Sequence, residues 1–119
     1  MPHCVLELSS NVQDKPDFKA LFKQIHQFLA SSNEVTLEQI KSRVRISENF
    51  YIGSGATNKS FVFLQLSLMT GRSLELRQSF GAKLLEYIEQ AFPLSKKDPC
   101  CSITVEVREM ERQTHFRAA

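Results

Sequence analysis

The spacing of apolar residues along the chain changes several times, and each change marks an element. Residues 3–8 (His-Cys-Val-Leu-Glu-Leu) alternate as a short strand does. A polar turn over 11–15 follows. Asp14 is expected to cap a helix whose first turn holds Pro16, an early position that proline favours because its missing N–H is not needed there. Phe18, Leu21, Phe22, Ile25, Phe28 and Leu29 then recur at helical spacing as one apolar stripe, a core-facing face. Ser31, Ser32 and Asn33 end it. Residues 39–46 alternate strictly, with Ile40, Ser42, Val44 and Ile46 on one side and Lys41, Arg43 and Arg45 on the other.

The stretch 47–60 is polar, contains Gly53 and Gly55, and reads as a connection with a hairpin arm around Phe50, Tyr51 and Ile52. The clearest strand is 61–69, with Val62, Leu64, Leu66 and Leu68 on one face. Thr70, Gly71, Arg72 and Ser73 lead into a helix over 74–92 with a stripe of Leu74, Phe80 or Gly81, Leu84, Leu85, Ile88 and Phe92. Pro93 and the residues up to Pro99 should break it. Residues 102–109 form a last alternating strand, with Ile103, Val105 and Val107 opposite Thr104, Glu106 and Arg108.

Strand, helix, strand is thus written twice, over roughly 2–47 and 60–109, without a residue-level repeat. Two helices cannot cover both faces of four strands. The expected architecture is therefore an α/β two-layer sandwich: a four-stranded mixed sheet with both helices on one face. The other face carries Lys41, Arg43 and Arg45 and needs a partner, for which a second copy of the chain is the simplest choice.

Length sharpens this. The 119 residues make one domain, residues 1–119. A domain of this size buries only about two-thirds of the surface its unfolded chain exposes, which leaves no room for a large active-site cavity wholly inside one subunit. Hydrophobic residues at 42% and charged residues at 24% exclude disordered and low-complexity classes. A net charge of +2 is too small to announce a nucleic-acid or membrane-surface protein. The apolar run 61–68 is broken by Gln65 and Ser67, far short of the roughly 20 residues of a membrane span. Met1-Pro2-His3-Cys4 has no basic region ahead of an apolar stretch, so no secretory signal is expected. Cys4, Cys100 and Cys101 are a poor disulfide framework and offer no zinc spacing, which points to a reduced cytoplasmic protein with packing cysteines.

Four features carry candidate chemistry. If Met1 is removed, Pro2 becomes an N-terminal secondary amine fixed at the start of a strand. Burial and nearby cations would lower its pKa and leave a neutral base at physiological pH. Arg72, at the start of the second helix, adds a bidentate fork to backbone N–H groups that attract anions. The row Lys41, Arg43, Arg45 needs anionic compensation, from Glu7 or Glu106 or from a ligand. Gly53-Ser54-Gly55-Ala56-Thr57-Asn58-Lys59-Ser60 nearly spells a phosphate-binding loop, but Asn58 stands where glycine belongs and the segment opens a strand rather than a helix. His3, His26 and His115 show no catalytic or metal-ligand spacing and are taken as surface or core histidines.

With Pro2, the basic strand and the Gly71-Arg72 turn in hand, the chain resembles the 5-carboxymethyl-2-hydroxymuconate Δ-isomerase family of the tautomerase superfamily. The matching pieces are Met1-Pro2-His3, Ile40-Lys41-Ser42-Arg43-Val44, Phe61-Val62, the most specific run Gly71-Arg72-Ser73-Leu74-Glu75-x-Arg77-Gln78, and the last strand ending near Phe116. They fall in order over nearly the whole chain. The resemblance implies homotrimers with active sites near subunit boundaries and no metal or cofactor. It implies that Pro2 moves a proton between carbons of an unsaturated 2-hydroxy or 2-oxo acid, and that Arg72 binds a carboxylate. The family usually has arginine where this chain has Lys41, a point charge that cannot form the same planar fork, so Arg43 stands as an alternative binder. The chain also ends soon after Phe116, so its subunit contacts are expected to differ.

Other readings are a broad 2-oxo acid tautomerase and a relative that binds without catalysis. A nucleic-acid-binding sheet face, with Phe50 and Tyr51 beside the basic row, has the ingredients for stacking. It lacks aromatic residues inside the strands in the RNA-recognition pattern, so no nucleic-acid partner and no membrane partner are expected.

Overall fold

The computed structural model describes residues 1–118. Strand β1 (His3–Ser9), helix α1 (Phe18–Ser31), strand β2 (Lys41–Ser47), strand β3 (Ser60–Met69), helix α2 (Leu74–Ala91), helix α3 (Pro93–Lys97) and strand β4 (Cys101–Met110) follow in order. The strands form one mixed sheet in the order β2-β1-β3-β4. β1 and β2 are parallel, as are β3 and β4, and β1 meets β3 antiparallel at the centre. Each parallel pair is joined through its helix, as a parallel crossover requires.

Strand period decides which face is covered. Cys4, Leu6 and Leu8 of β1 and Val62, Leu64, Leu66 and Leu68 of β3 are buried and share one face. Leu21, Ile25 and Leu29 of α1 and Phe80, Leu84 and Ile88 of α2 close over that face. Phe28 joins the two helices edge-to-face with Phe80 and Tyr87, at centroid distances of 5.8 and 5.9 Å. Both long helices thus lie on one side, as the apolar stripes predict. The opposite face presents His3, Val5 and Glu7 beside Lys41, Arg43 and Arg45.

Local chemistry departs from expectation at several places. Asp17, not Asp14, caps α1: its carboxylate accepts from the Ala20 N–H at 3.1 Å. Pro16 accordingly precedes the helix rather than occupying its first turn. Asp14 reaches across the molecule to α3, where it accepts from the Leu94 N–H (3.0 Å), the Ser95 N–H (2.8 Å) and the Ser95 hydroxyl (2.5 Å). Pro93 ends α2 but starts α3 at a position where no N–H is required. The segment 48–59 holds turns and no hairpin strands. Phe50 packs on Phe61, and the Tyr51 hydroxyl donates to the Ser54 carbonyl across Gly55, whose φ of +94° only glycine adopts readily. Ile46 is 58% exposed rather than buried beside Ile40, because β2 is an edge strand.

Asp14 is only 7% exposed, so its hydrogen bonds carry a pH signature. Burial alone would raise its pKa, but the Ser95 hydroxyl and the backbone N–H groups outweigh it and hold the carboxyl below its ordinary value. A lowered folded pKa stabilises the fold above the unfolded pKa, and that contribution is lost as pH falls through the folded one. Asp14→Ala should cost about 2–3 kcal/mol near neutral pH, the scale of buried charge-assisted hydrogen bonds. In urea unfolding the gap from wild type should narrow as pH falls below the ordinary aspartate value of 3.8. A gap independent of pH would show that the carboxylate's charge does not matter.

Candidate active site

Topology gathers the candidate residues at one end of the sheet. β1 and β2 begin there, while β3, antiparallel to β1, ends there together with β4. Pro2 leads into β1, the turn Thr70–Ser73 follows β3, Lys41 opens β2, and the residues after Met110 leave β4.

Pro2 is buried, and its carbonyl accepts the Lys41 N–H at 3.1 Å, which fixes it as the first rung of the β1–β2 ladder. The amino group ahead of it, on Met1, is held below its ordinary pKa of 8.0. Burial is the leading cause, followed by the positive charges of Arg72, Lys41 and Arg117. With Met1 in place the Pro2 nitrogen is an amide and not a base; with Met1 removed it becomes the chain's amine.

Arg72 sits between Gly71, whose φ of +118° turns the chain sharply, and Ser73, whose hydroxyl caps α2 by accepting from the Leu76 N–H. Its Nη1 donates to the Met69 carbonyl (3.2 Å) and its Nη2 to the Glu34 carbonyl (2.7 Å). Arg72 Nε is buried with no partner among the described residues, an arrangement native proteins seldom tolerate without a reason. Each Nη keeps a second N–H, so the clamped guanidinium still has donors to offer.

The basic row is free of carboxylates: among the described residues no ion pair involves Lys41, Arg43 or Arg45. Glu7 takes the Ser47 hydroxyl at 2.5 Å, and Glu106 pairs with Arg108 at 2.8 Å. Lys41 Nζ donates to the Gln39 carbonyl at 3.2 Å. Arg43 Nη1 lies 3.1 Å from His3 Nδ1. Arginine can only donate, so His3 accepts at Nδ1 and carries its proton on Nε2. Burial first, then the charges of Arg43 and Lys41, lower the His3 pKa and keep the ring neutral. Pro2, Lys41 and Arg72 are therefore brought together, whereas Arg43 faces His3 one step along the sheet and Arg45 lies further along β2.

Two neighbours escaped the sequence. His115 and Arg117, beyond β4, reach this end of the sheet: the charge of Arg117 acts on the amino group and that of His115 on His3. Arg112 ties this tail back to the β3–α2 turn through the Thr70 carbonyl at 3.2 Å. Strand order is the signal that would have found them, because a β4 parallel to β3 must end where β1 begins. Among the described residues no group of three or more His, Cys, Asp or Glu side chains is placed to hold a metal ion, and no helix is long and apolar enough to cross a membrane. Chemically, the site offers a buried amine position ringed by cations, suited to moving a proton on an anionic molecule.

Known proteins share this fold. The family model described as 5-carboxymethyl-2-hydroxymuconate isomerase matches residues 2–119. The chain is 29% identical over 117 residues to the 5-carboxymethyl-2-hydroxymuconate Delta-isomerase of Escherichia coli, covering 98% of this chain and 93% of that one. A solved 5-carboxymethyl-2-hydroxymuconate isomerase from Deinococcus radiodurans superposes with a TM-score of 0.86 at 21% identity, over 98% of this chain and 88% of the other. A solved protein described as a fused 4-OT wild-type symmetric trimer has the same fold, with a TM-score of 0.73 at 16% identity over 98% of this chain and 91% of the other.

Proposed function

The chain belongs to the 5-carboxymethyl-2-hydroxymuconate isomerase family, and on that footing we propose that it isomerises a carboxylated, unsaturated 2-hydroxy (2-oxo) acid, with 5-carboxymethyl-2-hydroxymuconate as the leading substrate. The observation that carries the proposal is the convergence of Arg72, Lys41 and Arg117 on a buried chain start. Once Met1 is removed, the neutral Pro2 amine accepts a proton from one carbon and leaves a dienolate. The protonated amine then returns that proton to another carbon, so the composition of the molecule is unchanged. Arg72 holds a substrate carboxylate and offsets charge as it builds on oxygen, and Lys41 and Arg43 supply further positive field. The active unit is a homotrimer, as in the fused 4-OT relative, with the open sheet face turned toward neighbouring copies. Free Cys4, Cys100 and Cys101 support a reducing, cytoplasmic setting.

Lys41 favours a second reading, a broader 2-oxo acid tautomerase, because an ammonium grips a carboxylate with less directional demand than a guanidinium. Rates on mono-, di- and tricarboxylate enols, followed by ultraviolet absorbance, separate the two. The leading proposal expects the rate to climb with carboxylate count. Equal rates on all three would favour the broader enzyme, and no turnover of any would leave a binding protein.

A further inference from the structure

A second concavity lies between α1 and the edge strand β2. It has a volume of about 690 Å³, within the size range of small-molecule sites. Phe22, Leu37 and Ile40 supply its apolar lining, and Leu37 is 43% exposed, with nothing among the described residues covering it. His26 and Ser42 close it with a polar contact of 2.6 Å between Nε2 and Oγ.

Its rim is positive. Lys19, Lys23 and Lys41 all line it, and among the described residues none of them has a carboxylate within 4.0 Å. Lys19 and Lys23 are four residues apart near the start of α1, so they share one helix face. Like charges at that spacing repel, and cations near a helix N-terminus oppose the helix dipole. The N-cap Asp17 is spent on the Ala20 N–H and pairs with neither lysine, and no acidic residue occupies the first turn. An unpaired like-charge pair thus stands beside an uncovered apolar trough.

We propose that this groove binds a small amphipathic carboxylate, its aliphatic or aryl body on Phe22, Leu37 and Ile40 and its acid group at the lysine rim. The neutral His26–Ser42 pair lets the polar end of such a ligand hydrogen-bond without adding a fourth fixed charge to the three lysines; burial lowers the His26 pKa and keeps the ring uncharged. The site does not depend on Pro2 chemistry, and only Lys41 is common to the two.

Calorimetric titration of the full native protein with octanoate tests this, with octanol as the uncharged counterpart. Saturable binding of one octanoate per chain is expected, with octanol at least about tenfold weaker, the loss of one directed charge contact. Lys19→Glu combined with Lys23→Glu should weaken octanoate about tenfold while leaving octanol and isomerase turnover unchanged. Leu37→Ser should weaken both ligands, and Arg72→Ala should change neither. The proposal fails if octanoate does not saturate, as when a second copy covers the groove. It fails equally if the lysine variants bind like wild type, or if Arg72→Ala abolishes binding, which would put the ligand in the N-terminal site.

Discussion

Protein that retains Met1 is expected to isomerise its substrate about 10²–10⁴-fold more slowly than protein beginning at Pro2, the range a positioned general base contributes. The cause is electronic rather than steric. An amide nitrogen has given its lone pair to the carbonyl and accepts no proton at neutral pH, whereas a secondary amine does. The surroundings already favour the neutral amine: at Met1, burial and then Arg72, Lys41 and Arg117 lower the amino pKa below 8.0. A base must be deprotonated to work, so kcat/KM should rise with pH through this lowered pKa. It should reach its plateau at a lower pH than an unperturbed α-amine would allow. Intact mass defines the N-terminus of each preparation, and ultraviolet absorbance gives the rate. Equal turnover by the Met1-retaining and Pro2-starting forms would remove Pro2 from the mechanism. Pro2→Ala is a milder test, since a processed Ala would still present an amine.

Arg72→Ala should lower kcat/KM on a dicarboxylate enol by about 10–150-fold, the equivalent of losing a charge-assisted contact of about 1.5–3 kcal/mol. A monocarboxylate lacking the matching group should lose less. The same substitution also strips partners from the Met69 and Glu34 carbonyls, so a thermal melt must accompany the kinetics. Arg72→Lys separates the effects, because it keeps the charge and forfeits the planar fork. If Arg72→Ala slows all enols equally while the melt is unchanged, Arg72 does not discriminate carboxylates.

The layered fold was legible because strand and helix periods are strong where one face is buried. Val62, Leu64, Leu66 and Leu68 alternate without exception, and the structure buries all four. What escaped was long-range. Asp14 and Asp17 are equally good caps by type, and only the tertiary position of α3 decides which helix each serves. Phe50, Tyr51 and Ile52 are consecutive rather than alternating, so they serve a turn-rich connection better than a strand. Within the candidate site, Pro2, Lys41 and Arg72 could be read from local motifs. His3 becomes interesting only once Arg43 is seen reaching it from the neighbouring strand, and Arg117 only once β4 is known to lie beside β3. Residue spacing carries no information on which strand ends are neighbours.

The central antiparallel pairing of β1 with β3 has a consequence in terms of symmetry. The unit β1-α1-β2 and the unit β3-α2-β4 are related by an approximate two-fold axis through that pairing, so the sheet has two equivalent ends. The helix-facing Cys4, Leu6 and Leu8 of one unit correspond to Val62, Leu64 and Leu66 of the other, which makes Ser60, buried like Pro2, its counterpart. The two ends match in backbone geometry but not in chemistry, because the nitrogen of Ser60 lies inside the chain as a peptide amide. Joining two such units in one polypeptide therefore leaves a single end able to present an amine, and frees the other end to diverge without regard to proton transfer.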